Sequence, residues 1–111
     1  MNASAFTASM ASGVRTVEIP PAALPFRVGR SRNQALVIDW AHGDVSGRHL
    51  EIVALDESGA QIVVHGDNGV TVDGTSHGPG AQFKWKLGET LVLGGGAGQA
   101  SSCTLTLSRS P

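Results

Sequence analysis

Apolar and polar side chains alternate along Val14-Arg15-Thr16-Val17-Glu18-Ile19, the two-residue period of a strand with one face in a core. Pro20 and Pro21 end that segment, because proline has no N–H to give to a sheet ladder. Phe26-Arg27-Val28 predicts a second short strand, closed by Gly29. Leu36-Val37-Ile38 predicts a third, apolar on both faces and therefore expected in the interior. His49 to Leu55 and Ala60 to His65 predict a hairpin about the polar turn Asp56-Glu57-Ser58-Gly59. Val70-Thr71-Val72 predicts another strand, followed by the turn pair Asp73-Gly74. Phe83-Lys84-Trp85-Lys86-Leu87 alternates again, and Leu87-Gly88-Glu89 turns the chain into Thr90-Leu91-Val92-Leu93. Gly94 to Gly98 reads as a flexible connection, and Cys103 to Leu107 as the last strand. No long window sustains the i, i+3, i+4 spacing of an amphipathic helix. Many short strands between Gly-, Pro- and Asp-rich turns predict an all-β sandwich or barrel.

Composition narrows this further. A chain of 111 residues fits one domain, and an apolar fraction of 41% is ample for its core. No run approaches the length of a membrane span. Eight basic and nine acidic residues give a net charge of −1, which leaves no basic footprint for nucleic acid. Arg27, Arg30, Arg32 and Arg48 nevertheless gather around the same loops. Cys103 is the only cysteine, so it forms no internal disulfide, and its apolar run predicts a buried thiol. Met1 to Gly13, rich in Ala and Ser, lacks the basic leader and apolar core of a secretory signal. It is expected to be a flexible tail (residues 1–13) before a domain at 14–109, in a cytoplasmic protein. Trp40 and Trp85 are expected in packing roles.

Three short stretches offer chemistry. Gly29-Arg30 ends a strand, where glycine permits a sharp turn and arginine presents a planar fork of donors matched to phosphate oxygens. Ser46-Gly47-Arg48-His49 precedes a strand, where a serine hydroxyl and a neighbouring backbone N–H can both donate to an anion. His49 is expected to brace loops through hydrogen bonds. Asp67-Asn68-Gly69 lies between two strands, and Asn-Gly is a strong turn signal whose amide could also bond an extended peptide. Catalysis is not indicated. Ser46 and His49 lie close together at a strand entrance, and no Gly-x-Ser-x-Gly elbow occurs. The histidines (His42, His49, His65, His77) lack metal-ligand spacing, and the glycine run after Leu93 lacks the Lys-Ser/Thr of a nucleotide cradle. No metal or cofactor is expected.

In this order and spacing, Gly29-Arg30, Ser46-Gly47-Arg48-His49, Asn68-Gly69 and Val72-Asp73-Gly74 resemble the forkhead-associated (FHA) domain family. Val37-Ile38-Asp39 and the stretch from Trp85 to Leu93 are similar to family sequence as well. The resemblance implies a β-sandwich of two twisted sheets with about eleven strands, whose loops at one end bind phosphothreonine peptides. By position it implies that Arg30 grips the phosphate, Ser46 donates its hydroxyl and Asn68 bonds the peptide main chain. Gly29, His49 and Gly69 would shape the loops, with Gly47, Arg48 and Asp67 beside the ligand. The partner implied is a phosphothreonine-containing protein, such as a Ser/Thr kinase or its substrate, met by a signalling adaptor. No nucleic acid or membrane partner is expected. Two positions depart from the family pattern. At 47, where a side chain often helps, glycine leaves only a backbone N–H. At 67, where Ser or Thr is usual, stands a carboxylate. Two unit charges about 6 Å apart at an effective dielectric of about 20 interact by roughly 3 kcal/mol, enough to offset much of an arginine's attraction for phosphate. An FHA-fold scaffold that binds its partner without phosphate is the alternative.

Overall fold

The computed structural model describes residues 5–10, 13–20, 22, 24–39, 42–43, 45–94 and 103–108, and these form eleven strands in two sheets. One sheet runs β2(Gly13–Glu18), β1(Ala5–Met10), β11(Cys103–Ser108), β10(Thr90–Leu93), β7(Val70–Val72), β8(Thr75–His77). The other runs β4(Leu36–Val37), β3(Phe26–Gly29), β5(Leu50–Asp56), β6(Gly59–Val64), β9(Gln82–Lys86). Every neighbouring pair is antiparallel except β3 with β4. Among the described residues no helix is long and apolar enough to cross a membrane.

Alternation in the sequence becomes two inner faces. Cys103, Leu105 and Leu107 of β11 point inward while Thr104, Thr106 and Ser108 lie towards solvent. Ala60, Ile62 and Val64 of β6 face them from the other sheet, with Trp85 of β9. Phe6 meets Phe26 edge-on at a ring separation of 6.0 Å and Trp85 at 5.9 Å, an aromatic contact that spans both sheets. The Trp85 indole N–H donates to the Glu89 carbonyl at 2.8 Å, which satisfies its one polar atom. Cys103 packs in this core, and its thiol is pushed up to about 12 by burial first and by the charge of Asp39 second.

Several expectations change. Residues 5–10, read as tail, form β1, which lies between β2 and β11 with Phe6 fully buried. The Ala-Phe-Thr-Ala-Ser sequence alternates well enough, but its pairing with Cys103–Ser108 lies at the far end of the chain. The Leu36 segment is interior on one face alone: Leu36 and Ile38 are buried, but among the described residues β4 is an edge strand bonded only to β3, and Val37 is 39% exposed. Its second apolar face is open to solvent. Thr75-Ser76-His77, polar and short, forms the unexpected strand β8. It returns from β7 through Asp73 (φ 49°) and Gly74 (φ 78°), both left-handed as a two-residue hairpin turn demands. A register shift between Ile52 and Ala54 leaves Val53 39% exposed. Trp40, Asp44 and the glycines from 95 to 98 lie outside the described residues.

At the β5–β6 turn, Asp56 accepts from the Ser58 N–H (2.8 Å), the Ser58 hydroxyl (2.9 Å) and the Gly59 N–H (3.0 Å). Lys84 reaches its other oxygen at 2.6 Å and, with those bonds, holds the carboxyl well below the usual range.

Phe6→Ala tests the place of β1 in the core. Emptying a fully buried phenylalanine site costs about 3–5 kcal/mol. Urea unfolding should show that loss; unchanged stability would return the segment to a tail.

Candidate binding site at one end of the sandwich

Three loops meet at one end: Arg30 to Ala35 after β3, Ile38 to His49 before β5, and His65 to Gly69 between β6 and β7. Gly29 makes their first contact possible. A Cβ on Gly29 would overlap the carbonyl oxygen of Gly47, so any larger residue forces the loops apart. Two backbone bonds then fasten them: the Arg30 N–H donates to the Ser46 carbonyl and the Ser31 N–H to the Gly47 carbonyl, both at 3.0 Å. The Arg30 Nε–H donates to the Val45 carbonyl at 2.5 Å, which lays the guanidinium along the second loop.

His49 ties the second loop to the third. The Ser46 N–H donates to its Nδ1 at 2.9 Å, and its Nε2 stands 2.7 Å from the Gly69 carbonyl. One tautomer fits both: Nδ1 must accept, so Nε2 carries the proton and donates to Gly69. The His49 carbonyl also accepts from the N–H groups of His65 (2.8 Å) and Gly66 (2.9 Å). Gly66 lies so close to the imidazole that a Cβ there would overlap the ring. Burial pushes the His49 ring below its ordinary value of 6.5, against the opposing pull of the Gly69 carbonyl and the Asp67 charge.

The Asn68-Gly69 turn is not a hairpin. It carries the chain from β6 in one sheet to β7 in the other. Gly69 alone of the pair is left-handed (φ 67°), and its N–H closes the turn on the Gly66 carbonyl at 3.0 Å. The Asp67 N–H points at the Ser46 Oγ, 3.3 Å away, which accepts and keeps its own proton for another partner.

Arg30, Ser46, Gly47, Asp67 and Asn68 therefore lie on loops cross-bonded to one another. Arg30, Ser46 and Gly47 are half-buried, whereas Arg48, Asp67 and Asn68 are exposed. Gly29, His49 and Gly69 are buried beneath them. His42, on the same loop as Ser46, is buried. Beside Arg30 a cleft of about 560 Å³ is lined by Arg32, Val37, Ile38 and Asp39. Among the described residues no three His, Cys, Asp or Glu side chains are grouped to hold a metal ion. Sequence reasoning passed over Ser31 and Gly66. Adjacency to Gly29-Arg30, and a glycine opening the Gly66-Asp67-Asn68-Gly69 run, were the available signals.

Comparison with known proteins agrees with this architecture. The model of the FHA domain matches residues 26–94, and the chain belongs to that family. Among curated proteins none matches it. Among solved structures, the Slr1951 protein of Synechocystis sp. superposes with a TM-score of 0.73 at 16% identity, over 100% of both chains. The N-terminal FHA domain of S. cerevisiae Rad53p, solved with a phosphothreonine peptide, gives 0.69 at 13% identity, over 96% of this chain and 94% of that one. The FHA domain of CT664 from Chlamydia trachomatis gives 0.70 at 18% identity, over 97% and 100%. These likenesses concern the fold.

Because the folded chain holds His49 neutral, its stabilising contribution is complete above the unfolded value of 6.5 and declines as pH falls from there through the lower folded value. Site-resolved NMR titration should find the His49 ring protonating below 6.5, with the Ser46 amide shifting in step. A ring titrating at or above 6.5 would refute the neutral brace.

Proposed function

We propose that this loop end binds a phosphothreonine-containing segment of a partner protein, as a phosphorylation-dependent interaction module. One observation carries the reading: Arg30 and Ser46 come from different loops yet are fastened by adjacent backbone bonds, beside the Asp67-Asn68 turn that Ser46 Oγ holds. Arg30 supplies the positive charge and N–H donors for a phosphate that carries close to two negative charges near neutral pH. The Ser46 hydroxyl accepts from the Asp67 N–H through one lone pair and keeps its proton to donate to a ligand. The Gly47 N–H adds a main-chain donor. Asn68 offers an amide that accepts and donates, the pair of functions an extended peptide backbone presents in return. Arg48 adds charge at the exposed rim. Family membership and the Rad53p complex with a phosphothreonine peptide support this reading. Phosphorylated kinases or their substrates are the partners it suits, met by an adaptor in the cytoplasm.

The exposed Asp67 favours a second reading, docking of an unphosphorylated partner, since its carboxylate stands on the turn that adjoins Ser46. Calorimetry with pooled threonine peptides of mixed flanking sequence, phosphorylated and not, separates the two. Phosphate dependence predicts that only the phosphorylated pool binds, and that Arg30→Ala weakens it by roughly thirtyfold, the worth of about 2 kcal/mol of charge-assisted hydrogen bonding. Equal binding of both pools would establish the second reading. Asp67→Ser should tighten the phosphorylated pool severalfold by removing like-charge repulsion.

A further inference from the structure

Gly47 is a glycine that its backbone does not require. Its φ lies outside the left-handed region, unlike that of Gly69. What a larger residue would meet is one neighbour: a Cβ on Gly47 would lie 2.5 Å from the Ser31 Oγ and 3.7 Å from the Ser31 Cβ, with no other atom of the described residues within 4 Å apart from its own chain neighbours. The Ser31 hydroxyl thus occupies the space where a side chain at position 47 would begin.

Its position is fixed from both sides. The Ser31 N–H donates to the Gly47 carbonyl at 3.0 Å, and the Ser31 carbonyl accepts the Gln34 N–H at 3.2 Å. The preceding rung, Arg30 N–H to the Ser46 carbonyl, holds the guanidinium-bearing residue and the serine of the second loop beside it. Ser31 is an exposed residue at this junction.

We propose that Ser31 is a phosphate ligand, its hydroxyl donating from the first loop in the place that Gly47 leaves vacant on the second. The inference rests on the phosphothreonine reading and deepens it. A phosphate monoester presents three terminal oxygens that all accept hydrogen bonds. The Arg30 Nε–H is already engaged by the Val45 carbonyl, which reduces what the guanidinium can offer a ligand. A neutral O–H donor on the next residue adds a bond without adding bulk, and it can rotate to the oxygen it serves. With its side chain as it stands, the Ser31 hydroxyl claims the space a Cβ at position 47 would take, and a residue there would require the hydroxyl to rotate away.

The experiment measures the affinity of pooled phosphothreonine peptides, with their unphosphorylated counterparts, for the parent chain, Ser31→Ala and the double variant Ser31→Ala/Gly47→Ser. Thermal unfolding checks that each is folded. Ser31→Ala should bind the phosphorylated pool about fivefold to tenfold more weakly, the worth of one hydrogen bond to a charged acceptor at an open site. The double variant returns a hydroxyl from the opposite loop into the space that alanine frees, and should recover most of that loss. Unchanged affinity in Ser31→Ala, or a loss that the double variant does not recover, would overturn the assignment. If the parent chain fails to prefer the phosphorylated pool, the phosphothreonine reading itself fails, a result separate from the other two.

Discussion

The neutral imidazole of His49 is the one group on which the geometry of the loop end depends. It is buried between two loops that belong to different sheet connections, and each ring nitrogen is used once, in opposite senses. Protonation would turn the Nδ1 acceptor into a donor aimed at the Ser46 N–H, which leaves a partly buried polar group facing its like. A buried hydrogen-bonding group deprived of its partner costs about 1–3 kcal/mol. Burial therefore does two things at once: it keeps the ring neutral and makes the neutral ring a rigid strut. Ser46 is set by that strut, Asp67 by Ser46, and Arg30 by the backbone rung that ends on the Ser46 carbonyl.

Beneath the loops the sheets contribute rigidity of a different kind. The cross-sheet cluster of Phe6, Phe26 and Trp85 fixes how the two layers sit on one another. Phe26 opens the same strand that Gly29 closes, so the strand that carries a core aromatic at one end delivers Arg30 at the other. Close approach does the rest. Gly29 against the Gly47 carbonyl and Gly66 against the His49 ring bring main chains within reach of hydrogen bonds that any side chain would prevent. The site is thus assembled chiefly from backbone, with few side chains committed to holding it together.

How much of this the amino-acid order reveals depends on the range of the interaction. Local signals are legible: alternation in β6, β9 and β11, the Asp56 turn, and the left-handed pair at Asp73-Gly74 all follow from neighbours in sequence. What is not legible has a distant cause. The residues of β1 are weak strand formers that gain a ladder on each side, from β2 next in the chain and from β11 at its other end, and the second of these has no local signal. β4 carries an interior composition at an exposed edge, since sheet order is a property of the whole topology. Asn68-Gly69 has the composition of a hairpin turn but joins two sheets, because β7 finds its partners in β10 and β8, not in β6. At the candidate site, the order of motifs brings out Arg30, Ser46 and His49. The contact between Ser31 and Gly47 exists only once the loops are fastened, so no reading of either segment alone contains it.

The frame and the outward-facing groups are largely different residues. Gly29, His49, Gly66 and Gly69 are buried and are held by shape or by backbone bonds, whereas Ser31, Arg48, Asp67 and Asn68 stand in solvent. In evolutionary terms the two sets are free to diverge at different speeds. An exchange among the exposed residues costs folding little, while an exchange in the frame displaces the loops whatever they meet. The motifs by which such a chain is recognised as kin join the two sets, since Gly29, His49 and Gly69 shape the loops that hold out Arg30, Ser46 and Asn68. A likeness carried by the buried members alone speaks for the shape of the loop end and says nothing of what it grips.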